Sequence, residues 1–306
     1  MFDKEKYGKI LVPMVTPFKE DQSVDYEAAV ELAEKLVNEN LADTLIISGT
    51  TGEFFSMTYE ERVKLFETIN DAVGSKIPMI AGTACISTTE TIQLTQAVEN
   101  IGFDTVMIAS PYYTKPSQSE IFNHFKNVAN ATDMNITLYN IPIFAGVNLD
   151  PETVAKLSEI DNIVAIKEEA ELNPKQMTEY INATPEDFII YCGDDSMIIE
   201  AFAQGGEERI GGVISGASHI IGNRMRDMIN NFVKGNVSEV AKTQQLLLPL
   251  YRSFGQNNRY NPVAILKAAM NMVGFNAGIP RLPLMPATEE EKVKVKAMLE
   301  KLNIIS

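Results

Sequence analysis

A chain of 306 residues that is 45% hydrophobic can fill one large core or two modest ones, which sets disorder aside. No apolar run approaches the roughly 20 residues that span a bilayer. A net charge of −15 argues against nucleic acid and anionic membranes as partners, because phosphate binding needs a concentrated basic face.

The opening Met1-Phe2-Asp3-Lys4-Glu5-Lys6 lacks a secretory apolar segment, so a cytoplasmic location is expected. Short apolar runs then recur at Ile10 to Val15, Thr44 to Ser48, Pro78 to Ala81, Thr105 to Ala109, Ile136 to Tyr139, Ile163 to Ile166, Phe188 to Tyr191 and Gly212 to Ile214. Between them lie segments of helical period, among them Tyr26 to Asn38 after the cap Asp25, Tyr59 to Val73 after Thr58, and Pro151 to Ser158 after Asp150. Eight alternations of strand and helix predict an α/β fold, a closed (β/α)8 TIM barrel over residues 1–222 that carries the active site. Beyond it, Asn223 to Lys234, Val237 to Phe254, Asn261 to Val273 and Glu289 to Leu302 read as helices, a C-terminal extension over 223–306 packed on the barrel. Between the last two, Ile279 to Pro286 holds three prolines and is expected to be extended. Cys85 and Cys192 form neither a disulfide framework nor a metal spacing and read as small buried residues.

The strand Ile163 to Ile166 delivers Lys167 to the point where the chain turns polar at Glu168-Glu169. An amine at the mouth of an apolar barrel is pushed towards the free base that attacks a carbonyl; the alternative is a lysine that snorkels to water. In this fold chemistry sits on the loops after the strands, and those loops are rich in candidates. Ser48-Gly49-Thr50-Thr51-Gly52-Glu53 offers two hydroxyls and backbone N–H groups that can cradle a carboxylate, or is merely a turn. Pro111-Tyr112-Tyr113-Thr114-Lys115-Pro116 presents phenols, equally suited to an interface. Tyr139-Asn140-Ile141-Pro142 puts a phenol on the strand next to Lys167, where it can shuttle protons. Gly193-Asp194-Asp195 ends strand seven, its aspartates able to cap the next helix, and Gly212-Val213-Ile214-Ser215-Gly216 ends strand eight.

Val15-Thr16-Pro17-Phe18, Gly49-Thr50-Thr51-Gly52-Glu53, Pro111-Tyr112-Tyr113, Tyr139-Asn140-Ile141-Pro142, Ile166-Lys167-Glu168 and Gly193-Asp194-Asp195 together resemble the dihydrodipicolinate synthase and N-acetylneuraminate lyase family of pyruvate-dependent class I aldolases, in order and spacing, over nearly the whole chain. The resemblance implies a Schiff base between Lys167 and the ketone of pyruvate or a 2-keto acid, with a small aldehyde as partner and neither cofactor nor metal. It implies Tyr139 as proton donor and acceptor, linked to Thr50 and to a Tyr113 contributed by a neighbouring subunit. Thr51 and the amides from Gly49 onward would hold the pyruvate carboxylate, with Ile214, Gly193 and Phe144 also in the substrate site. A homotetramer built as a dimer of dimers follows from the shared tyrosine.

Phe144 stands where the family's synthases proper carry an arginine that binds the carboxylate of aspartate semialdehyde. That predicts weak activity on this aldehyde unless Lys115 or Arg209 reaches the same place. Ile86 stands where lysine-inhibited synthases have asparagine, which speaks against lysine feedback. Glu53-Phe54-Phe55 looks closer to 2-keto-3-deoxy sugar acid aldolases, whereas the Thr50-Thr51 pair looks like the synthases. The leading function is therefore a 4-hydroxy-tetrahydrodipicolinate synthase-like lyase, with the sugar acid aldolase as alternative. A metal-dependent aldolase would need more ligands than His124 and His219 supply, and a non-catalytic pyruvate sensor would not need the lysine, tyrosine and threonines together.

Overall fold

Strands buried on both faces have no reason to alternate apolar and polar residues, and the eight runs do not. In the computed structural model, which describes residues 3–169 and 173–306, they become β1 (Ile10–Pro13), β2 (Thr44–Ile47), β3 (Met79–Gly82), β4 (Thr105–Ala109), β5 (Asn135–Asn140), β6 (Ile163–Glu168), β7 (Ile189–Cys192) and β8 (Ile210–Ile214). They close into one parallel barrel in sequence order. The expected TIM barrel is present, with C-terminal helices after β8. The helices expected over Tyr26–Asn38, Tyr59–Val73 and Val237–Phe254 form over those residues.

The chain divides into two compact units, Met1–Leu11 with Pro78–Ile214 and Val12–Ile77 with Ser215–Ser306. Residues 222 and 223, where the C-terminal region was expected to begin, lie within the helix Ser218–Val233, next to Ile221, whose φ of −121° and ψ of 19° interrupt it.

The first unit holds α1 (Lys4–Tyr7) and β3 to β8, with α4 (Thr88–Ile101), α5 (Gln118–Ala129), α6 (Pro142–Ala145), α7 (Pro151–Leu157), α8 (Gln176–Ala183) and α9 (Ile198–Arg209). Its register is fixed along the β4–β5–β6–β7 ladder, and Leu11 pairs with Ile214. At the start of β4, α1 is anchored by one side chain: the buried Tyr7 hydroxyl meets Thr105 Oγ1 at 2.6 Å and donates to Asp104 Oδ1 at 2.8 Å. Lys6 pairs with Asp104, Lys9 with Glu207 at 2.5 Å, and Lys4 donates to the Glu207 carbonyl at 2.6 Å.

The second unit holds β2 with α2 (Tyr26–Asn38) and α3 (Tyr59–Val73), then α10 (Ser218–Val233), α11 (Val237–Phe254), α12 (Val263–Met272) and α13 (Glu289–Lys301). Capping boxes start α3 and α13: Thr58 and Glu61, and Thr288 and Glu291, each satisfy one another's backbone donors. Gly222 of α10 allows contact with the 41–43 segment, since a Cβ there would lie 1.9 Å from the Leu41 carbonyl oxygen. Arg226 pairs with Asp43 at 2.8 Å. The segment 279–286 is extended only in part, because Leu282 to Leu284 turn back and the Leu284 N–H donates to the Arg281 carbonyl at 3.1 Å.

Candidate active site

Lys167 stands near the C-terminal end of β6, 5% exposed. Register pairs it with Tyr139 of β5 on one side and Tyr191 of β7 on the other. Paired residues of a parallel ladder face the same way, so amine and phenol meet: Lys167 Nζ lies 4.1 Å from the centroid of the Tyr139 ring. Burial lowers the Lys167 pKa from the ordinary lysine value, and the carboxyls of Glu169 and Asp195 partly oppose it. The shift favours the free base of this amine over its ammonium form. Gly193, expected in the substrate site, lies against the lysine stem. A Cβ there would come within 2.8 Å of Lys167 Cε and 2.9 Å of the Glu168 carbonyl oxygen, so only glycine leaves the side chain its path.

The turn after β2 carries Gly49, Thr50 and Thr51, the two threonines half-buried. The Gly52 N–H donates to the Gly49 carbonyl and the Glu53 N–H to the Thr50 carbonyl, both at 3.0 Å, while Thr16 Oγ1 donates to the Gly52 carbonyl at 2.7 Å. Ser48 and Glu53 bracket the turn at positive φ, 59° and 58°, a conformation that persists only where side chains hold it. They are held. Arg62 Nε donates to Ser48 Oγ at 3.0 Å, and the buried Glu53 carboxylate accepts from Lys267 Nζ at 2.5 Å and from the Arg281 N–H at 2.8 Å. Lys267 directs its remaining donors to the Thr16 and Ile279 carbonyls at 2.7 and 2.8 Å. Sequence reasoning missed Lys267, although a lone charge inside Val263-Ala264-Ile265-Leu266 and Ala268-Ala269 is the mark of a buried helix face.

Tyr113 projects from the loop after β4 at φ 71° and 88% exposure. Ile214 ends β8, buried. Phe144 lies on the short α6, 37% exposed. Of the two basic residues considered as carboxylate partners, Arg209 is engaged elsewhere: it precedes β8, at the opposite end of the strands from Lys167, and donates to the Ile181 carbonyl at 2.9 Å and to Thr184 Oγ1 at 2.8 Å. Lys115 is near, its stem lying where a Cβ on Gly146 would meet it at 3.4 Å, two residues past Phe144. The histidines have structural partners: His219 Nε2 accepts the Val15 N–H at 3.2 Å, and His124 Nδ1 meets Thr88 Oγ1 at 2.8 Å. Burial lowers both rings to about 4. Cys192 is buried as expected, whereas Cys85, in the loop after β3, is only half-buried.

A family model for the dihydrodipicolinate synthetase family matches residues 6–302. The chain belongs to that family. Over 299 residues, 98% of this chain and 99% of the relative, it is 43% identical to a 4-hydroxy-tetrahydrodipicolinate synthase of Desulforudis audaxviator. It is 44% identical over 285 residues to such a synthase of Halalkalibacterium halodurans, covering 93% and 94%. A crystal structure of a dihydrodipicolinate synthase from Bacillus anthracis superposes with a TM-score of 0.90 at 38% identity over 98% and 99% of the chains. Members of the family are class I lyases that work through a Schiff-base lysine on pyruvate and an aldehyde, and this protein is an enzyme of that kind. These synthases lend no support to the sugar acid aldolase alternative. No described helix is long and apolar enough to cross a membrane.

Proposed function

We propose that Lys167 is the Schiff-base residue and that the protein condenses pyruvate with aspartate semialdehyde in the cytoplasm, without a cofactor. The Lys167 amine adds to the pyruvate ketone and water leaves. The protonated imine then draws electrons from the methyl carbon, which gives up a proton, and the resulting enamine adds to the aldehyde. Tyr139 carries the protons, in relay with Thr50 and with Tyr113 of a neighbouring subunit in a homotetramer. Thr51 and the amides after Gly49 take the pyruvate carboxylate, and Ile214 lines the pocket. With phenylalanine at 144, the carboxylate of the second substrate falls to Lys115, whose stem already lies along the same loop. The observation that carries the reading is the buried amine of Lys167 against the Tyr139 ring.

Borohydride added with pyruvate tests it, because an imine is reducible and a metal enolate is not. A covalent adduct on Lys167, with turnover indifferent to chelators, is the expected result. Trapping that persists in Lys167→Ala, or turnover abolished by a chelator, overturns the assignment.

A further inference from the structure

Asn140 and Glu168 directly follow Tyr139 and Lys167, and register pairs them with each other as it pairs the two residues before them. Successive strand side chains point to opposite faces, so this second pair lies behind the sheet from the first. Both are buried to 1% exposure. Across the β5/β6 seam Asn140 Nδ2 donates to Glu168 Oε2 at 2.8 Å, and Gln176 Nε2 of α8 donates to the same oxygen at 3.3 Å. Asn140 also holds the chain that follows α6: its Nδ2 donates to Asn148 Oδ1 and its Oδ1 accepts the Leu149 N–H, both at 2.9 Å. Gln176 closes the cluster: its Nε2 also lies 3.0 Å from Asn148 Oδ1 and 2.9 Å from the Tyr180 hydroxyl, so its two hydrogens are shared among three acceptors, and the Tyr180 hydroxyl itself donates to the Leu149 carbonyl at 2.5 Å.

A buried hydrogen-bond network of this kind rigidifies what it joins. Burial pushes the Glu168 carboxyl up to about 7 against the pull of Asn140 and Gln176, so its charged form depends on those donors. The network's hydrogen bonds run among Asn140, Asn148, Leu149, Glu168, Gln176 and Tyr180, behind the face that carries Lys167, and they fix the strand segments from which Lys167 and Tyr139 project.

We propose that the Asn140–Glu168 hydrogen bond is a positioning device that sets Tyr139 against Lys167 and thereby sets the rate of imine formation. The proposal rests on Lys167 being the Schiff-base residue. Both partners are positioning residues, one position removed from the groups that touch substrate.

The test exchanges donor and acceptor. Asn140→Asp removes the donor with little change of volume; Glu168→Gln in the same chain supplies a donor from the other side. The readouts are the rate of borohydride-trappable imine at saturating pyruvate, the pyruvate concentration at half saturation, and the melting temperature. Asn140→Asp is expected to slow trapping about tenfold or more with half saturation shifted less than about threefold, since small misplacement acts on the reacting geometry. The double variant is expected to return to within about threefold of wild type, because the coupling belongs to the pair. Wild-type trapping by Asn140→Asp, or slowing that the double variant leaves unrelieved, overturns the proposal. Should Asn140→Asp fail to fold, Gln176→Met takes one donor from the same carboxylate while leaving both strands unaltered: slower trapping supports the device, and a wild-type rate overturns it. A wild-type protein that traps no pyruvate would instead overturn the assignment of Lys167.

Discussion

Burial lowers the pKa of Lys167 from the ordinary lysine value, which favours the free base that a Schiff base with a ketone requires. Lys167→Met should therefore lower turnover by about a thousandfold or more while circular dichroism stays that of the wild type. Lys115 is the more informative residue for the second substrate. Lys115→Ala should cut kcat/KM for aspartate semialdehyde by about tenfold and leave pyruvate trapping unchanged, whereas Phe144→Arg should raise it by a similar factor, a bidentate fork being the better carboxylate partner. Steady-state kinetics on both variants decide between these outcomes and a substrate that carries no carboxylate there. Lys167 was legible in the sequence because a short apolar strand ends on it. Lys267 was legible only as a lone charge on an apolar helix face, because what it holds there, Glu53, lies 214 residues away in the sequence.

Among the elements, the turn after β2 is the one whose shape depends most on distant support. Its Glu53 and the Lys267 of α12 are both buried, so neither charge has water to fall back on. Lys267→Met should destabilise the protein by about 3–5 kcal/mol, the usual penalty for stranding one charge of a buried pair, as read by urea unfolding. Adding Glu53→Gln to that variant should recover part of the loss, since the stranded charge is then gone. The strand centres were all predictable from apolar runs, but the ends of β5 and β6 were not. Both run on into polar residues, to Asn140 and Glu168, because those side chains find one another across the seam and a hydrophobic pattern cannot announce a hydrogen bond.

At the scale of the molecule, Tyr113 is a bulky residue held in the left-handed region with most of its surface uncovered, which suits a contact supplied by another copy. Light scattering should give four chains per particle, and Tyr113→Phe should lower kcat far more than it alters pyruvate binding. Strong acid should release the pair that joins Arg259 to the first turn of α13. Arg259 beside Glu291 lowers that carboxyl from 4.5 to about 2, so the stability it contributes is complete above pH 4.5 and is lost as pH falls towards 2. The melting temperatures of wild type and Glu291→Gln should accordingly differ at pH 6 and converge in that acid range. The Tyr7 anchor has a consequence of another sort. It seats α1 where β4 begins, whereas Lys167 stands where β6 ends, and in a parallel barrel these are opposite mouths. A linker attached ahead of Asp3 will therefore fasten the enzyme to a bead or electrode by the end of the barrel opposite Lys167, and the immobilised form should keep the apparent pyruvate affinity of the free one.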